Sequence, residues 1–190
     1  MHATLKRYLV ALTSCAALAF SVVVVAGPVE TSQDKYNAKV PGGLAFSEFK
    51  GYESWEAVSI SEDGPAIAVI LANPTMINAY KAGIPGNGQP FPDGSKMAKV
   101  HWSPKKLDTF TAATVPGTLL NVDFMVKDGK KFADSGGWGY AVFDYEPASD
   151  KFTPGTTAGS PPQGNDAKCG FACHTIVKTR DFVFTDYGKR

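Results

Sequence analysis

The chain has 190 residues, enough for one domain or at most two. Lysine and arginine number 19 against 18 aspartates and glutamates, a net charge of +1 that excludes a nucleic-acid binder driven by bulk charge. With 44% apolar and 19% charged residues the chain can bury a core, and three cysteines are too few for a disulfide framework. The 19 glycines and 13 prolines favour short strands joined by turns over a helical bundle.

Lys6 and Arg7 precede an uncharged stretch over residues 8–26, and no acidic residue occurs before Glu30. A basic start, an apolar centre and small residues at Ala26-Gly27 read as a secretory signal over residues 1–26, with export to the periplasm. An uncleaved anchor is the alternative, because 19 uncharged residues just reach across a bilayer. The apolar run continues well past Cys15, which argues against a lipidated cysteine there. Cleavage takes Lys6 and Arg7 from the 19 basic residues, leaving 17 against 18 acidic. The mature chain then keeps Cys169, Cys173, His101 and His174.

Residues 27–48 are polar and weakly patterned and read as an irregular lead-in to one domain over residues 49–190. Residues 52–55 suggest a helical turn and residues 57–61 a short alternating strand, followed by the turn Glu62-Asp63-Gly64-Pro65. The continuous apolar run over 66–72 predicts a buried strand. Asn73 then supplies an N-cap and Pro74 the first helical position of a helix that Gly83 ends. Residues 84–94 are a loop, residues 96–102, 118–127 and 138–145 are strands, and residues 146–168 are a second long loop. The fold class is α+β, mainly β: an antiparallel sheet with one or two flanking helices.

Cys169-Gly170-Phe171-Ala172-Cys173-His174 is the most informative stretch. A cysteine next to a histidine, with a second cysteine just upstream, is the pattern of covalent haem attachment in exported proteins. The two thiols add to the vinyl groups, and the imidazole is placed to ligate iron. Two residues usually separate the cysteines; here there are three. On a helix, positions four apart still share one face, and a kink at Gly170 is a second way to absorb the extra residue. Two readings compete: a Cys169–Cys173 disulfide beside an exposed His174, and a zinc site, for which no fourth ligand is evident.

The C-terminal cysteine–histidine region followed by Asp181-Phe182-Val183-Phe184-Thr185 resembles cytochrome P-460 and its relative cytochrome c′-beta. Phe91-Pro92-Asp93-Gly94-Ser95-Lys96-Met97-Ala98-Lys99 resembles the segment in which cytochrome P-460 carries a lysine bonded to its haem, and Lys99 matches that lysine by its spacing from Asp93-Gly94. Further landmarks of the resemblance are Tyr52-Glu53-Ser54-Trp55, Asn73-Pro74, Ala79-Tyr80, Val126-Lys127-Asp128, Phe132-Ala133 and Trp138. The resemblance spans about residues 45–190 and implies haem c held near the C-terminus, usually in a homodimer. Cys169 and Cys173 would hold the haem, His174 would be its proximal iron ligand, and Lys99 would be cross-linked to the porphyrin. It further implies oxidation of hydroxylamine or nitric oxide at a five-coordinate iron, with electrons passed to a soluble acceptor protein.

Strand alternation places Met97, Lys99 and His101 on one face and Lys96, Ala98, Val100 and Trp102 on the other. Only one of Lys96 and Lys99 can therefore face a bound ring. Met97 or His101 on the iron would give a six-coordinate electron-transfer cytochrome instead. Asp123 falls where the resemblance places a distal carboxylate, the candidate catalytic base; a solvent-facing strand position is the alternative. Where many relatives carry a pocket arginine the chain has Ala68. Phe91, Phe124 and Trp138 are core residues before they are pocket residues. An alternative function is a nitric oxide carrier or sensor without turnover. No nucleic-acid partner is expected.

Overall fold

The computed structural model describes residues 34–40, 43–155 and 168–190. The expected signal segment, residues 1–26, lies outside the described residues, as do the start of the lead-in and positions 156–167 of the second long loop. Six antiparallel strands form one sheet in sequential order, β1 (Glu56–Asp63), β2 (Ala66–Ala72), β3 (Lys96–Leu107), β4 (Phe110–Lys127), β5 (Trp138–Glu146) and β6 (Lys151–Pro154). The α+β, mainly β expectation is met. Two helices flank the sheet, α1 (Pro74–Lys81) and α2 (Lys168–His174), the second followed by a 3-10 stretch, Thr175–Arg180. Among the described residues no helix is long and apolar enough to cross a membrane.

Local chemistry sets these elements as the sequence predicts in several places. Asn73 caps α1 by accepting from Met76 N at 3.1 Å, Pro74 fills the first turn, and Gly83 leaves it in the left-handed region at φ 91°. The Asn73 oxygen also accepts from Lys96 N at 3.0 Å, so one side chain ties the start of α1 to the start of β3. Buried positions in β2 recur at every second residue over Ala68, Ile70 and Ala72.

Two expectations are corrected, and one is extended. The described part of the lead-in is irregular in backbone, and its Val40, Leu44 and Phe46, with Phe49 just after it, are fully buried and cover one face of the sheet. Its few apolar residues are spaced by 3-10 turns (Lys35–Asn37 and Phe46–Phe49) and lack any helix or strand period. Strands β3 and β4 run on beyond residues 102 and 118 into a twisted two-stranded ribbon that ends in the Leu107↔Phe110 pair. Prolines hide this extension from sequence patterning; Pro104 and Pro116 sit opposite one another in a stretch broken by register shifts, where a missing N–H is tolerated. Finally, β6 lies inside the second long loop, pairing over four residues with β5.

Alternate residues of the same strands feed two separate cores. Ala98, Val100, Val122, Phe124, Ala141 and Phe143 point to the face closed by the lead-in. Ile70, Ala72, Met97, Met125 and Tyr140 point to the face covered by α1 and the C-terminal segment.

Candidate functional site

A cavity of about 610 Å³ opens between that second face and the C-terminal segment, within the size range of cofactor pockets. Its floor is Ile70, Met97, Lys99, Asp123, Met125 and Tyr140; its opposite wall is Cys173, His174, Val183, Phe184 and Thr185. The sheet register explains the floor. Ile70, Lys99, Asp123 and Val142 form one row across β2–β5, and Ala72, Met97, Met125 and Tyr140 form the next.

Lys99 and Asp123 are thus direct cross-strand partners on the cavity face. Lys96 points the other way, its Nζ donating to the Glu48 carbonyl at 2.5 Å and lying over the Phe49 ring. The predicted separation of the two lysines is therefore present in the structure. Asp123 keeps 40% of its side chain exposed toward the cavity. Its Oδ1 is buried without a hydrogen-bond partner among the described residues, and Oδ2 stands 3.8 Å from His101 Nδ1. Desolvation pushes its carboxyl up to about 6; the Lys99 charge pulls the other way and the Asp144 charge adds to the rise.

His174 ends α2 with its ring between those of Tyr140 and Phe184, each 4.9 Å away centroid to centroid. Its Nδ1 lies 2.6 Å from the Phe182 carbonyl oxygen. A carbonyl only accepts, so Nδ1 carries the proton and Nε2 is left as the lone-pair nitrogen. Burial lowers the imidazole's affinity for a second proton, which keeps it neutral and able to bind metal.

The helix carrying His174 is pressed onto β5. A Cβ at Gly170 would lie 2.4 Å from the Tyr140 ring, so only glycine fits there. Of the two ways to absorb the extra residue, the backbone has the continuous helix and not the kink: α2 runs unbroken through Cys169, Gly170 and Cys173, and Gly170 serves close packing. Backbone positions 169 and 173 stand one turn apart on it, and Cys173 carries a free thiol at the cavity rim.

Met97 lines the cavity, whereas His101 lies one row beyond it beside Asp123. Ala68 is buried opposite His101 and outside the lining. Phe91 and Trp138 are core, packed edge to face at 6.1 Å, and the Phe124 ring stacks on Phe49 on the opposite face. Tyr140 is the site residue that sequence reasoning missed; strand alternation from Trp138 would have placed it inward. Its hydroxyl is buried without a partner among the described residues, and burial holds it protonated.

A neutral imidazole with a fixed tautomer, a thiol beside it and a broad apolar floor suit a porphyrin and its iron. Fold and site together define a β-sheet haem protein. The family model for Cytochrome P460 matches residues 49–185, and the chain belongs to that family. No match was found among curated proteins.

Proposed function

We propose that the chain is an exported cytochrome that oxidises hydroxylamine or nitric oxide. In this reading residues 1–26 direct it to the periplasm and are removed. Cys169 and Cys173 join the haem as thioethers, so the group is haem c, and His174 Nε2 is the proximal ligand. When bound, the haem supplies an iron that takes electrons from a small nitrogen compound and gives them to a soluble acceptor protein. The observation that carries the proposal is the His174 imidazole, neutral and held by Phe182, facing a cavity whose floor presents Asp123 and Lys99.

Asp123 takes the substrate's protons. With its carboxyl pushed up to about 6, it is mostly ionised at neutral pH yet basic enough to accept one. In this reading Lys99 is the residue joined to the porphyrin. Losing its charge would raise the Asp123 carboxyl further and sharpen its role as base. The protein works as a homodimer.

The apolar stretch Ile70, Met97 and Met125 on the floor favours a second reading, capture of nitric oxide without turnover. Protein matured with its haem-attachment machinery and then denatured decides these points. Its mass should include one haem, and proteolysis should yield a haem-bearing fragment containing both residues 169–174 and Lys99. A fragment without Lys99 leaves the binding reading, and a mass lacking haem removes covalent attachment altogether. Lys99→Leu should restore an ordinary c-type spectrum and suppress hydroxylamine oxidation, while Lys96→Leu should do neither.

A further inference from the structure

We propose that Lys127 and Asp181 are positioning residues for the proximal histidine, their buried ion pair fixing the Phe182 carbonyl that binds His174 Nδ1. The inference rests on His174 as the iron ligand. Lys127 is the one buried charged residue among the described residues, 7% exposed. Its Nζ donates to Asp181 Oδ1 at 2.7 Å and to the Gly136 carbonyl at 3.0 Å, and lies 5.0 Å from the Trp138 ring centroid. Asp181 Oδ2 accepts from Phe91 N at 2.8 Å. Both carboxylate oxygens are therefore committed, one to the end of β4 and one to the loop before β3.

That anchorage falls where the backbone needs it. Asp181 and Phe182 are consecutive non-glycine residues in the left-handed region, at φ 49° and 63°. Such a pair persists only when its surroundings over-determine it. The ion pair holds the first residue, and a slot at Gly136 holds the ring of the second: a Cβ there would meet the Phe182 ring at 2.2 Å. Pinned from both sides, the Phe182 carbonyl meets Nδ1 at 2.6 Å. A short bond of this kind sets the tautomer and increases the electron donation of Nε2 to a metal. A buried ion pair gives little net stability over apolar residues of similar size, so orientation is the better account of its presence.

The test uses haem-loaded protein, reading the iron–histidine stretch by resonance Raman spectroscopy and the midpoint potential. Asp181→Asn and Lys127→Met should lower the stretching frequency, raise the potential and increase histidine detachment about tenfold or more. Asp181→Glu, which keeps the charge, should recover most of the frequency. Arg180→Gln, which removes the pair with Asp186 and the Nε bond to the Val183 carbonyl but leaves the Lys127–Asp181 pair, should change both readings far less. If the single variants do not fold, Lys127→Met combined with Asp181→Leu removes both charges together and should show the same shifts. Unchanged frequency and potential in any folded, haem-loaded variant lacking the pair would overturn the inference, as would an equal shift in Arg180→Gln. Absence of the iron–histidine band from the unaltered protein would instead overturn the ligand assignment, and the inference with it.

Discussion

The two faces of the sheet are built from alternate residues of the same strands, yet one is packed solid and the other holds a cavity. On the solid face the Phe46 ring meets Phe124 at 5.2 Å, Phe143 at 4.9 Å and Phe152 at 5.0 Å, and Phe49 stacks on Phe124 at 4.1 Å. On the cavity face the equivalent rows carry Met97, Lys99, Asp123, Met125 and Tyr140, and the covering segment stands off from the floor. The difference lies in the covering layers. The lead-in inserts large rings between the strands' side chains, whereas the C-terminal segment is held around the cavity's edge, by α2 at Gly170, by the Asp181 anchor, by buried Val183 and by the Gly188 N–H on the Val58 carbonyl.

The largest break in this arrangement should come from Phe46→Ala. Removing a fully buried ring with several aromatic neighbours is expected to cost about 3–5 kcal/mol, measurable by denaturant unfolding. The cavity-face residues should keep their environment in whatever fraction remains folded. A cost below about 1 kcal/mol would mean that the lead-in is not integral to the core.

Gly170→Ala is expected to be next. In an exposed helix this change stabilises by roughly 0.5–1 kcal/mol. Here the new methyl meets the Tyr140 ring, so the expected sign is reversed, with a loss of about 1–3 kcal/mol. Thermal melting gives the sign directly, and haem content should fall with it as α2 lifts from β5.

Asp123→Asn should act more gently and through pH. The native carboxyl titrates near 6 and the unfolded one near 3.8, so between these values the native state binds more protons and stability falls as pH rises. The asparagine variant should lose that slope and gain relative stability above pH 6. With 40% of the side chain exposed, screening limits the gain to under about 1 kcal/mol. Unfolding at pH 4 and pH 7 compares the two; an unchanged difference would show that desolvation at this position is slight. Hydroxylamine oxidation, by contrast, should fall sharply in the same variant.

The smallest effect is expected in the ribbon. Lys105 and Asp108 form an exposed pair at 3.4 Å, outside both cores. Asp108→Ala should leave the unfolding midpoint unchanged within error.

Much of the cavity face was legible because its signals are local. The Asn73-Pro74 cap, the alternation that separates Lys96 from Lys99 and the adjacent Cys173-His174 each span only a few residues. What escaped is non-local. Phe46 and Phe49 carry no period, and their burial depends on strands that come more than 40 residues later. Asp181 is recognisable in sequence only as a landmark, since its partner Lys127 precedes it by 54 residues. Gly170 reads as a point of flexibility until the ring it faces is known. The ribbon was concealed by the prolines its irregular register accommodates.

The long-range contacts of the tail have a consequence for access to the cavity. Strands adjacent in the sheet are adjacent in sequence, so the meander is built from short-range contacts. The tail reaches back to β1 and α1: Tyr187 bonds Glu56 across 131 positions, and Tyr80 donates to the Thr185 carbonyl at 3.0 Å across 105. Closing so long a loop carries a larger entropy cost than pairing neighbouring strands. Without those contacts the cavity would be a trough open along one side. Residues 181–190 therefore act as a latch, and a large flat group has its widest entrance before that latch closes.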